Sequence, residues 1–405
     1  MAAVVPRARA GVPLLGPGFV AAIAYVDPGN VATSTAAGAQ YGSTLLWVVI
    51  ATTGMAGLVQ YLAAKLGLVT GKSLTEVMRD RLSTPARLAY WAQAEVVAIT
   101  TGLAEVLGGA IALNLLFGLP VMAGGLITGV VSTVLLILRD QAGQRIFEHV
   151  VIALLVIIGV GFIAGMFAAP PTDADILSGV TPDFAGVDSL WLVVAMFGAT
   201  VMPHAVYLHS SLAKDRGPRT SPDGLARMLR TTRADVTIAM TLAGAVNVAL
   251  LLMAAGTLSD SDPSTLNGAH DAIAGRLGDD FALLFAIGLL ASGLAATAVG
   301  THAGAEVMAG LLVRTVPMAA RRLITLVPAI ALLSLAGDPT TTLVGSQVVL
   351  AFGLPFALIP LIVLTSCREV MGARVNHRAT TVAAWSIAAV ALSLDAVLIW
   401  GIFSG

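Results

Sequence analysis

Two short polar stretches interrupt long apolar segments of this sequence, and both carry groups that bind cations. The first, Asp27 to Asn30 (Asp-Pro-Gly-Asn), offers a carboxylate and an amide oxygen three residues apart. The second, Ala199 to His204 (Ala-Thr-Val-Met-Pro-His), offers the Met202 thioether and an Ala199 carbonyl freed by the helix break at Pro203. Oxygen ligands alone suit Mg²⁺ or Ca²⁺, whereas a thioether suits softer transition metals. Together they predict a site for a divalent transition-metal ion.

Each stretch has a simpler explanation when it is considered alone. A Pro-Gly pair is typical of a type II β-turn, which would place Asp27 in a connection between two short helices. A methionine in an apolar helix, such as Met202, usually contributes packing. Both alternatives weaken because the two interruptions occupy matching positions in two halves of the chain.

The elements that must position these residues are membrane-spanning helices. The 405 residues are 57% hydrophobic and 11% charged, whereas soluble domains carry about 25% charged residues. The net charge of −1 argues against nucleic acid as a partner, and the single cysteine excludes a disulfide framework and a Cys-based metal site. Eleven apolar segments are long enough to span a bilayer, near residues 12–40, 43–69, 88–117, 120–138, 147–169, 189–213, 233–256, 280–313, 319–336, 342–366 and 379–402. The sequence therefore predicts an all-α polytopic membrane protein.

The distribution of positive charge orients these segments. With the N-terminus inside, 21 of the 22 Lys and Arg residues fall in cytoplasmic loops and helix ends, and the exception is Arg276. The external loop 170–188 holds four Asp residues and no base. The positive-inside rule thus predicts a cell-membrane protein with a cytoplasmic N-terminus and an extracytoplasmic C-terminus. The basic stretch 214–233 is interpreted as a solvated loop, with lipid contact as the alternative. Ser73 to Glu76 is interpreted as a capping box that opens a short helix.

The odd number of segments hides a repeat. The set of segments one to five begins on the inside, and the set of segments six to ten begins on the outside. The two sets therefore have opposite orientations, which is the arrangement of an inverted repeat. Residues 1–169 form the first repeat, residues 189–366 the second, and residues 379–402 an additional helix. Segment one then corresponds to segment six, and these are the two interrupted segments. Paired interruptions at matching positions are a sequence signature of a transporter binding site.

Charged residues inside the spans suggest proton handling. Glu105 is expected deep in span three. Glu95 is expected nearer the cytoplasmic end, where either Arg321 or Arg322 of span nine can pair with it. Ionisable groups at membrane depth are costly, so they commonly mark ion or proton pathways.

Other polar residues in the spans are candidates for proton handling, for metal binding or for local hydrogen bonds. His204 and His209 follow the second interruption, and they suit either proton handling or a structural bond to a freed carbonyl. Gln347 in span ten can add an amide oxygen to the metal site. His302 and Glu306 in span eight are spaced i, i+4, and they either bond each other or take a direct part in transport.

The two interruptions together resemble the paired signature of the Nramp divalent-metal transporters, with bacterial proton-dependent manganese importers the most similar. Supporting stretches are Tyr207 to Ser210, Leu103 to Glu105, Ala112 to Gly118, Ala291 to Gly293, Gly300 to Thr301, Ser346 to Val348 and Leu354 to Ala357. The resemblance implies a LeuT-type fold, with eleven helices arranged as a 5+5 inverted repeat plus one and with helices 1 and 6 broken mid-membrane. It also implies secondary active import of Mn²⁺, and of Fe²⁺, Co²⁺ or Cd²⁺, by alternating access with protons as co-substrate.

The resemblance also assigns roles to residues. The implied metal ligands are Asp27, Asn30, the Ala199 carbonyl, Met202 and, in some conformations, Gln347. The proton-pathway candidates are Asp27, Glu95, Glu105, His204, His209 and Arg322. The family usually has an Asp one turn before the equivalent of Glu105, and Gly102 stands there in this chain. Proton coupling must then run through Glu105 and His204, or it is lost.

Two other classes of function remain open at this point. One is a cation-coupled organic-solute transporter of the same fold; the other is a membrane-embedded enzyme or a metal channel. A magnesium-transporting relative is disfavoured because its Ala-Met pair is altered, whereas Ala199 and Met202 are both present here. No enzyme activity and no cofactor are expected, because the metal is the transported substrate. The bilayer is the expected environment, and a monomer without an obligate protein partner is the expected state.

Overall fold

The computed structural model describes residues 17–142, 144–168, 170–186, 188–214, 216, 221–258, 265–335 and 337–404. This part of the chain is almost entirely helical, in agreement with the predicted class. Three of the basic residues that oriented the chain, Arg7, Arg9 and Arg219, lie outside the described residues. The beginning of the first apolar segment lies outside them as well.

Every predicted apolar segment contains one helix or a pair of helices. The range 1–169 holds α1 (Pro17–Ile23), α2 (Pro28–Tyr41), α3 (Leu46–Thr70), α4 (Leu74–Arg81), α5 (Thr84–Phe117), α6 (Val121–Ala142) and α7 (Gln144–Ala168). The rest of the chain holds α8 (Asp173–Val180), α9 (Asp188–Thr200), α10 (Pro203–Lys214), α11 (Pro222–Leu258), α12 (Leu266–Leu277), α13 (Asp279–Leu312), α14 (Met318–Leu335), α15 (Pro339–Ser366), α16 (Arg368–Met371) and α17 (Arg378–Ser404).

Length and composition alone make seven spans of the described chain able to cross a bilayer. They are Leu46–Thr70, Thr84–Phe117, Asp188–Lys214, Pro222–Leu258, Asp279–Leu312, Pro339–Ser366 and Arg378–Gly401. The span Asp188–Lys214 crosses only as the sum of α9 and α10. Likewise, α1 and α2 are each too short to cross alone and must act together.

The two broken spans lie in the interior of the bundle. Most residues of α2, α9 and α10 are buried, whereas α17 exposes many large apolar side chains. Glycines allow the neighbouring helices to approach closely. A Cβ placed on Gly293 of α13 would lie 3.0 Å from the Gly109 nitrogen of α5, and a Cβ on Gly108 would overlap Pro28. Such small-residue contacts replace the hydrophobic effect as the source of helix association in lipid.

The basic stretch 214–233 is a loop only in part, which corrects the prediction. Helix α11 begins at Pro222, about three turns before the apolar segment does. Ser221 caps it, since its hydroxyl oxygen accepts the Gly224 N–H at 3.2 Å, and Pro222 stands where a helix needs no N–H donor. Arg227, Arg230 and Arg233 are therefore exposed residues of a helix.

The predicted capping box at the start of α4 is confirmed. The Ser73 hydroxyl accepts the Glu76 N–H at 3.3 Å, and the Glu76 carboxylate accepts the Ser73 N–H at 2.7 Å. Lys214 at the end of α10 donates to the same carboxylate at 3.0 Å. Burial raises the pKa of Glu76, but the Ser73 N–H and the Lys214 ammonium lower it by more, so it lies below its ordinary value. This ion pair ties the second broken span to α4.

Candidate metal-binding site

The first break is built by Asp27 acting as a helix cap. A single 3₁₀ turn, Ala24–Val26, follows α1, and Asp27 then adopts an extended backbone with φ −72° and ψ 169°. Its carboxylate oxygen Oδ1 accepts the Asn30 N–H and the Asn30 side-chain Nδ2, both at 2.8 Å. Pro28 begins α2 at the position where a missing N–H costs nothing. The local sequence therefore ends one helix and starts the next at the same point.

The second break follows from Pro203. In a continuous helix the Ala199 carbonyl would accept the N–H of the residue four positions later, and that residue is Pro203, which has none. The last bond of α9 runs from the Val201 N–H to the Phe197 carbonyl at 2.8 Å, and α10 begins at Pro203. Met202 lies in the link between the two helices and is fully buried.

The two breaks meet, as predicted. Asn30 Nδ2 donates to the Ala199 carbonyl oxygen at 2.7 Å and to Asp27 Oδ1 at 2.8 Å, so one amide group bridges the two oxygens. The Thr200 hydroxyl donates to Asn30 Oδ1 at 3.1 Å. Asp27 is 2% exposed and Asn30 is 1% exposed. A carboxylate, a backbone carbonyl and a carboxamide thus converge in a buried position between the spans.

Two further residues complete the break, and the sequence analysis gave neither of them a role. Asn247 of α11 donates to the Tyr25 carbonyl at 2.9 Å and to Asn30 Oδ1 at 3.5 Å. The Ser292 hydroxyl of α13 donates to the Val26 carbonyl at 2.6 Å. These bonds satisfy the carbonyls that precede the break. An isolated Asn in the apolar run of α11 was the available signal, because a polar residue at that depth needs a partner.

Gln347 of α15 lies against both breaks. A Cβ on Gly29 would overlap its carboxamide group, and a Cβ on Gly198 would overlap its backbone oxygen. Its Nε2 donates to the Ser346 hydroxyl at 2.9 Å. Its Oε1 is buried and accepts no hydrogen bond from the described residues. An unpaired amide oxygen beside the first break is a suitable additional cation ligand.

The predicted ligand set is chemically mixed and carries little charge. Asp27 is its one carboxylate, and Met202 is its one sulfur atom. Among the residues that the structure describes, no three His, Cys, Asp or Glu side chains converge in a group that could hold a metal. A cation bound at the two breaks would therefore be held largely by carbonyl and carboxamide oxygens. Oxygen suits hard divalent ions, and the thioether shifts the preference toward softer ones.

Glu105 and Arg322 form a buried ion pair beside the site. Arg322 Nη1 donates to Glu105 Oε2 at 3.2 Å, and its Nε donates to the Ser132 hydroxyl at 3.3 Å. A Cβ on Gly102 would lie 3.7 Å from Arg322 Nη1, so a carboxylate at that position would also reach the guanidinium. Because residue 102 is glycine, Glu105 is the carboxylate that pairs with Arg322. One turn further along α5, Gly108 contacts Pro28, which places this pair close to the first break.

Glu95, the other glutamate of span three, forms an ion pair with a different arginine. Arg321 Nη1 donates to Glu95 Oε1 at 2.5 Å. Of the two partners expected for Glu95, Arg321 is the one observed. Glu95 is therefore not brought together with Glu105, and the two ion pairs are separate.

The two histidines of α10 have different surroundings. His204 Nδ1 lies 3.4 Å from the Thr101 hydroxyl of α5. His209 Nδ1 lies 2.8 Å from Gln60 Oε1, and Gln60 Nε2 donates to the Tyr25 hydroxyl at 2.6 Å. Both rings are buried. His209 is thus linked through Gln60 to the turn that precedes Asp27.

His302 and Glu306 contact each other, as their spacing predicts. His302 Nε2 lies 3.6 Å from Glu306 Oε1. The Ser211 hydroxyl of α10 donates to the other Glu306 oxygen. This group connects α10 to α13 and is separate from the predicted metal ligands.

Comparison with known proteins shows a match along nearly the whole chain. The family model described as "Natural resistance-associated macrophage protein-like" matches residues 18–401. The divalent metal cation transporter MntH of Mycobacterium tuberculosis is 56% identical over 389 residues, which cover 96% of this chain and 91% of that protein. The transporter of the same name in Bacillus subtilis is 41% identical over 394 residues, which cover 96% and 92%.

Solved structures agree with the family match. A manganese transporter of Eremococcus coleocola, in a crystal structure of one mutant, superposes with a TM-score of 0.87 at 30% identity, covering 98% of this chain and 90% of that one. A nucleobase-cation-symport-1 family transporter superposes with a TM-score of 0.62 at 19% identity, covering 96% and 90%. The second match shows the LeuT-type fold alone.

We predict that the space beside the first break cannot accept a methyl group. Gly29→Ala should lower the thermal stability of the purified protein by about 1–3 kcal/mol, because its Cβ overlaps the Gln347 carboxamide. Gly345→Ala on α15 is the matched control, because its Cβ would meet nothing within 4 Å. Melting curves of both variants in detergent measure the difference. Equal melting temperatures for the two variants would contradict the observed contact.

Proposed function

The chain belongs to the Nramp family, and we propose that it imports divalent transition-metal ions, Mn²⁺ foremost, by binding them between its two helix breaks. It is a multi-pass membrane transporter and not an enzyme. The proposed ligands are Asp27, Asn30, the Ala199 carbonyl, Met202 and Gln347. The observation that carries this proposal is the Asn30 amide held between Asp27 Oδ1 and the Ala199 oxygen.

A cation bound at this point would take over the role of the Asn30 amide. The amide nitrogen carries partial positive charge and approaches two oxygens at 2.7 and 2.8 Å. A metal ion between the same oxygens would require the Asn30 carboxamide to turn, so that Oδ1 faces the ion. That turn would break its bonds with Thr200 and Asn247. The site therefore couples ion binding to the contacts between the broken spans and α11.

Alternating access is the proposed mechanism of release. Spans one, two, six and seven would rock as a bundle against the remaining helices, with the two breaks near the centre of the motion. Hydrogen bonds between these groups include Ser211 with Glu306, Ser292 with the Val26 carbonyl, and the Tyr90 hydroxyl with the Tyr207 hydroxyl. The proposed motion would have to exchange these bonds together with the apolar contacts that surround them.

Protons are the proposed coupling ion. A carboxylate must be deprotonated to bind a metal, so an ion that binds Asp27 displaces any proton held there. Glu105 lies about one turn of α5 from the contact with Pro28, and His204 lies next to Pro203. Through these neighbours the displaced proton can leave the site. Arg322 would hold Glu105 in position.

The orientation and the environment complete the proposal. The protein would lie in the cell membrane with its N-terminus in the cytoplasm and its C-terminus outside, as the charge distribution predicts. Residues 1–169 and 189–366 would be the two inverted repeats, with 379–402 appended. It would act as a monomer, and acidic residues of the external loop would raise the local cation concentration.

Removal of the carboxylate tests the site directly. We expect Asp27→Ala to abolish Mn²⁺ uptake into proteoliposomes, because the set loses its one negative ligand. Asp338→Ala is the matched control, because Asp338 also caps a helix that begins with proline and lies outside the site. The control should lose about 1 kcal/mol of stability and keep its uptake. Uptake by Asp27→Ala at the control's rate would overturn the site.

The thioether should determine which metals compete. In Met202→Ala we expect Cd²⁺ to lose at least about tenfold in its competition against Mn²⁺ uptake, while Ca²⁺ and Mg²⁺ compete relatively better. Met196→Ala is the control, since Met196 is an equally buried methionine of the same span. Competition curves for the four ions, measured on both variants, distinguish ligation from packing. Identical profiles in the two variants would show that Met202 only packs.

Proton coupling has its own test. We expect Glu105→Gln to reduce the stimulation of Mn²⁺ uptake by an inward pH gradient, because an amide cannot exchange a proton. Glu95→Gln provides the comparison, since it removes the separate pair with Arg321. Uptake is measured with and without the gradient for both variants. Full stimulation in Glu105→Gln would exclude this glutamate from the proton route and leave the metal site intact.

A further inference from the structure

A second cavity lies between α3, α11 and the start of α17, away from the metal site. Its volume is about 440 Å³. Three basic side chains line it: Lys65 of α3, Arg233 of α11 and His377 immediately before α17. No carboxylate belongs to its lining within the described chain. The cavity is therefore positively charged, at the end of the bundle that the charge distribution predicts to be cytoplasmic.

The lining follows one face of each helix. On α3 the residues at 53, 54, 57, 58, 61 and 65 recur every three or four positions, and on α11 those at 233, 236, 237, 240 and 241 do the same. From Thr53 to Lys65 this face extends ~18 Å at 1.5 Å per residue. That length is close to one leaflet of the ~30 Å hydrocarbon core. The cavity is thus a groove that runs into the membrane from a basic mouth.

The groove owes its depth to glycine. A Cβ on Gly54 would meet nothing within 4 Å, and a Cβ on Gly57 would meet only the Met240 side chain, at 3.8 Å. The apolar side chains that line the groove are Leu58 of α3 and Val236 and Met240 of α11. The remaining lining residues are four threonines and Tyr61, whose hydroxyl groups are compatible with the glycerol and ester part of a lipid, while the open space beside the glycines suits a hydrocarbon chain.

The mouth of the groove contains an unusual lysine. Lys65 is 8% exposed and donates to Asn376 Oδ1 at 2.6 Å. Thr365 fixes Asn376 through two hydrogen bonds, at 2.9 and 3.1 Å. An ammonium group has three donors, and the described residues give Lys65 this one acceptor and no carboxylate. An anion bound at the mouth would offer acceptors to the two remaining N–H donors and would stabilise the charged form of this lysine.

We propose that this groove binds one anionic phospholipid of the cytoplasmic leaflet. The lipid phosphate would lie between Lys65, Arg233 and His377, and one acyl chain would follow Gly57 and Gly54 along α3. Basic pockets between helices on the cytoplasmic side are suited to anionic headgroups. The basic mouth selects the charge, and the glycine groove selects a lipid over a free anion.

The test is native mass spectrometry of the detergent-purified protein, titrated with phosphatidylglycerol or with phosphatidylcholine of the same acyl chains. We expect one phosphatidylglycerol to bind with clear preference over phosphatidylcholine. Arg233→Gln should weaken that binding about fivefold, because one basic residue near an anionic headgroup contributes about 1 kcal/mol. Arg227→Gln is the control, because it removes the same charge from an exposed site on α11 outside the groove.

A second variant tests the acyl-chain part of the groove without changing charge. Gly57→Leu should also weaken phosphatidylglycerol binding several-fold, because the leucine fills the groove. Gly159→Leu on α7 is the control, since its Cβ also meets nothing within 4 Å. Equal binding of the two lipids, or equal loss in variants and controls, would overturn the proposal. Inorganic phosphate that displaces the lipid at equal phosphate concentration would show a simple anion site instead.

Discussion

The structure depends on one carbonyl, that of Ala199, which has no hydrogen-bond donor within its own helix. Pro203 removes the N–H that the Ala199 oxygen would accept in a continuous helix, and no lipid group can replace that donor. The Asn30 amide supplies it across the bundle at 2.7 Å. Asn30 can reach the Ala199 carbonyl because the first span also breaks at this depth. Asp27 caps the helix that begins after that break. Each interruption is thus stable because the other one exists.

The remainder of the interior follows from the same requirement. Asn247 and Ser292 donate to the carbonyls before the first break, and glycines let α15 and α5 approach both breaks closely. The resulting candidate site consists of backbone and amide oxygens, one carboxylate and the Met202 thioether. A dense cluster of His and Cys ligands would hold a metal tightly, whereas conduction across a membrane requires binding weak enough for release. The composition of the candidate site therefore suits a metal ion that is bound and then released better than one that is held permanently.

The sequence predicts those parts of the candidate site whose residues lie close together in the chain. Asp27 with Asn30, and Ala199 with Met202, each lie within four residues, and proline chemistry alone identifies both breaks. Their encounter was predictable from the matched orientation of two spans. The roles of Asn247 and Ser292 were not, because a lone polar residue in an apolar helix has no periodicity that names its distant partner. Helix ends in polar sequence were also hard to place, as the early start of α11 shows.

Gly102 affects the charges near the first break, because the family resemblance implies an acidic residue at that position. Arg322 forms its ion pair with Glu105, so the neighbourhood of the first break contains a neutral pair and the single carboxylate of Asp27. A divalent ion on an ionised Asp27 gives that group one net positive charge, and the ion-free group carries one negative charge. A negative charge at this depth is costly, so the ion-free Asp27 favours a bound cation, either a metal ion or a proton. Under the proposed co-transport, a proton released from Asp27 would leave toward the cytoplasm, and with glycine at residue 102 it would have to pass through Glu105 and His204.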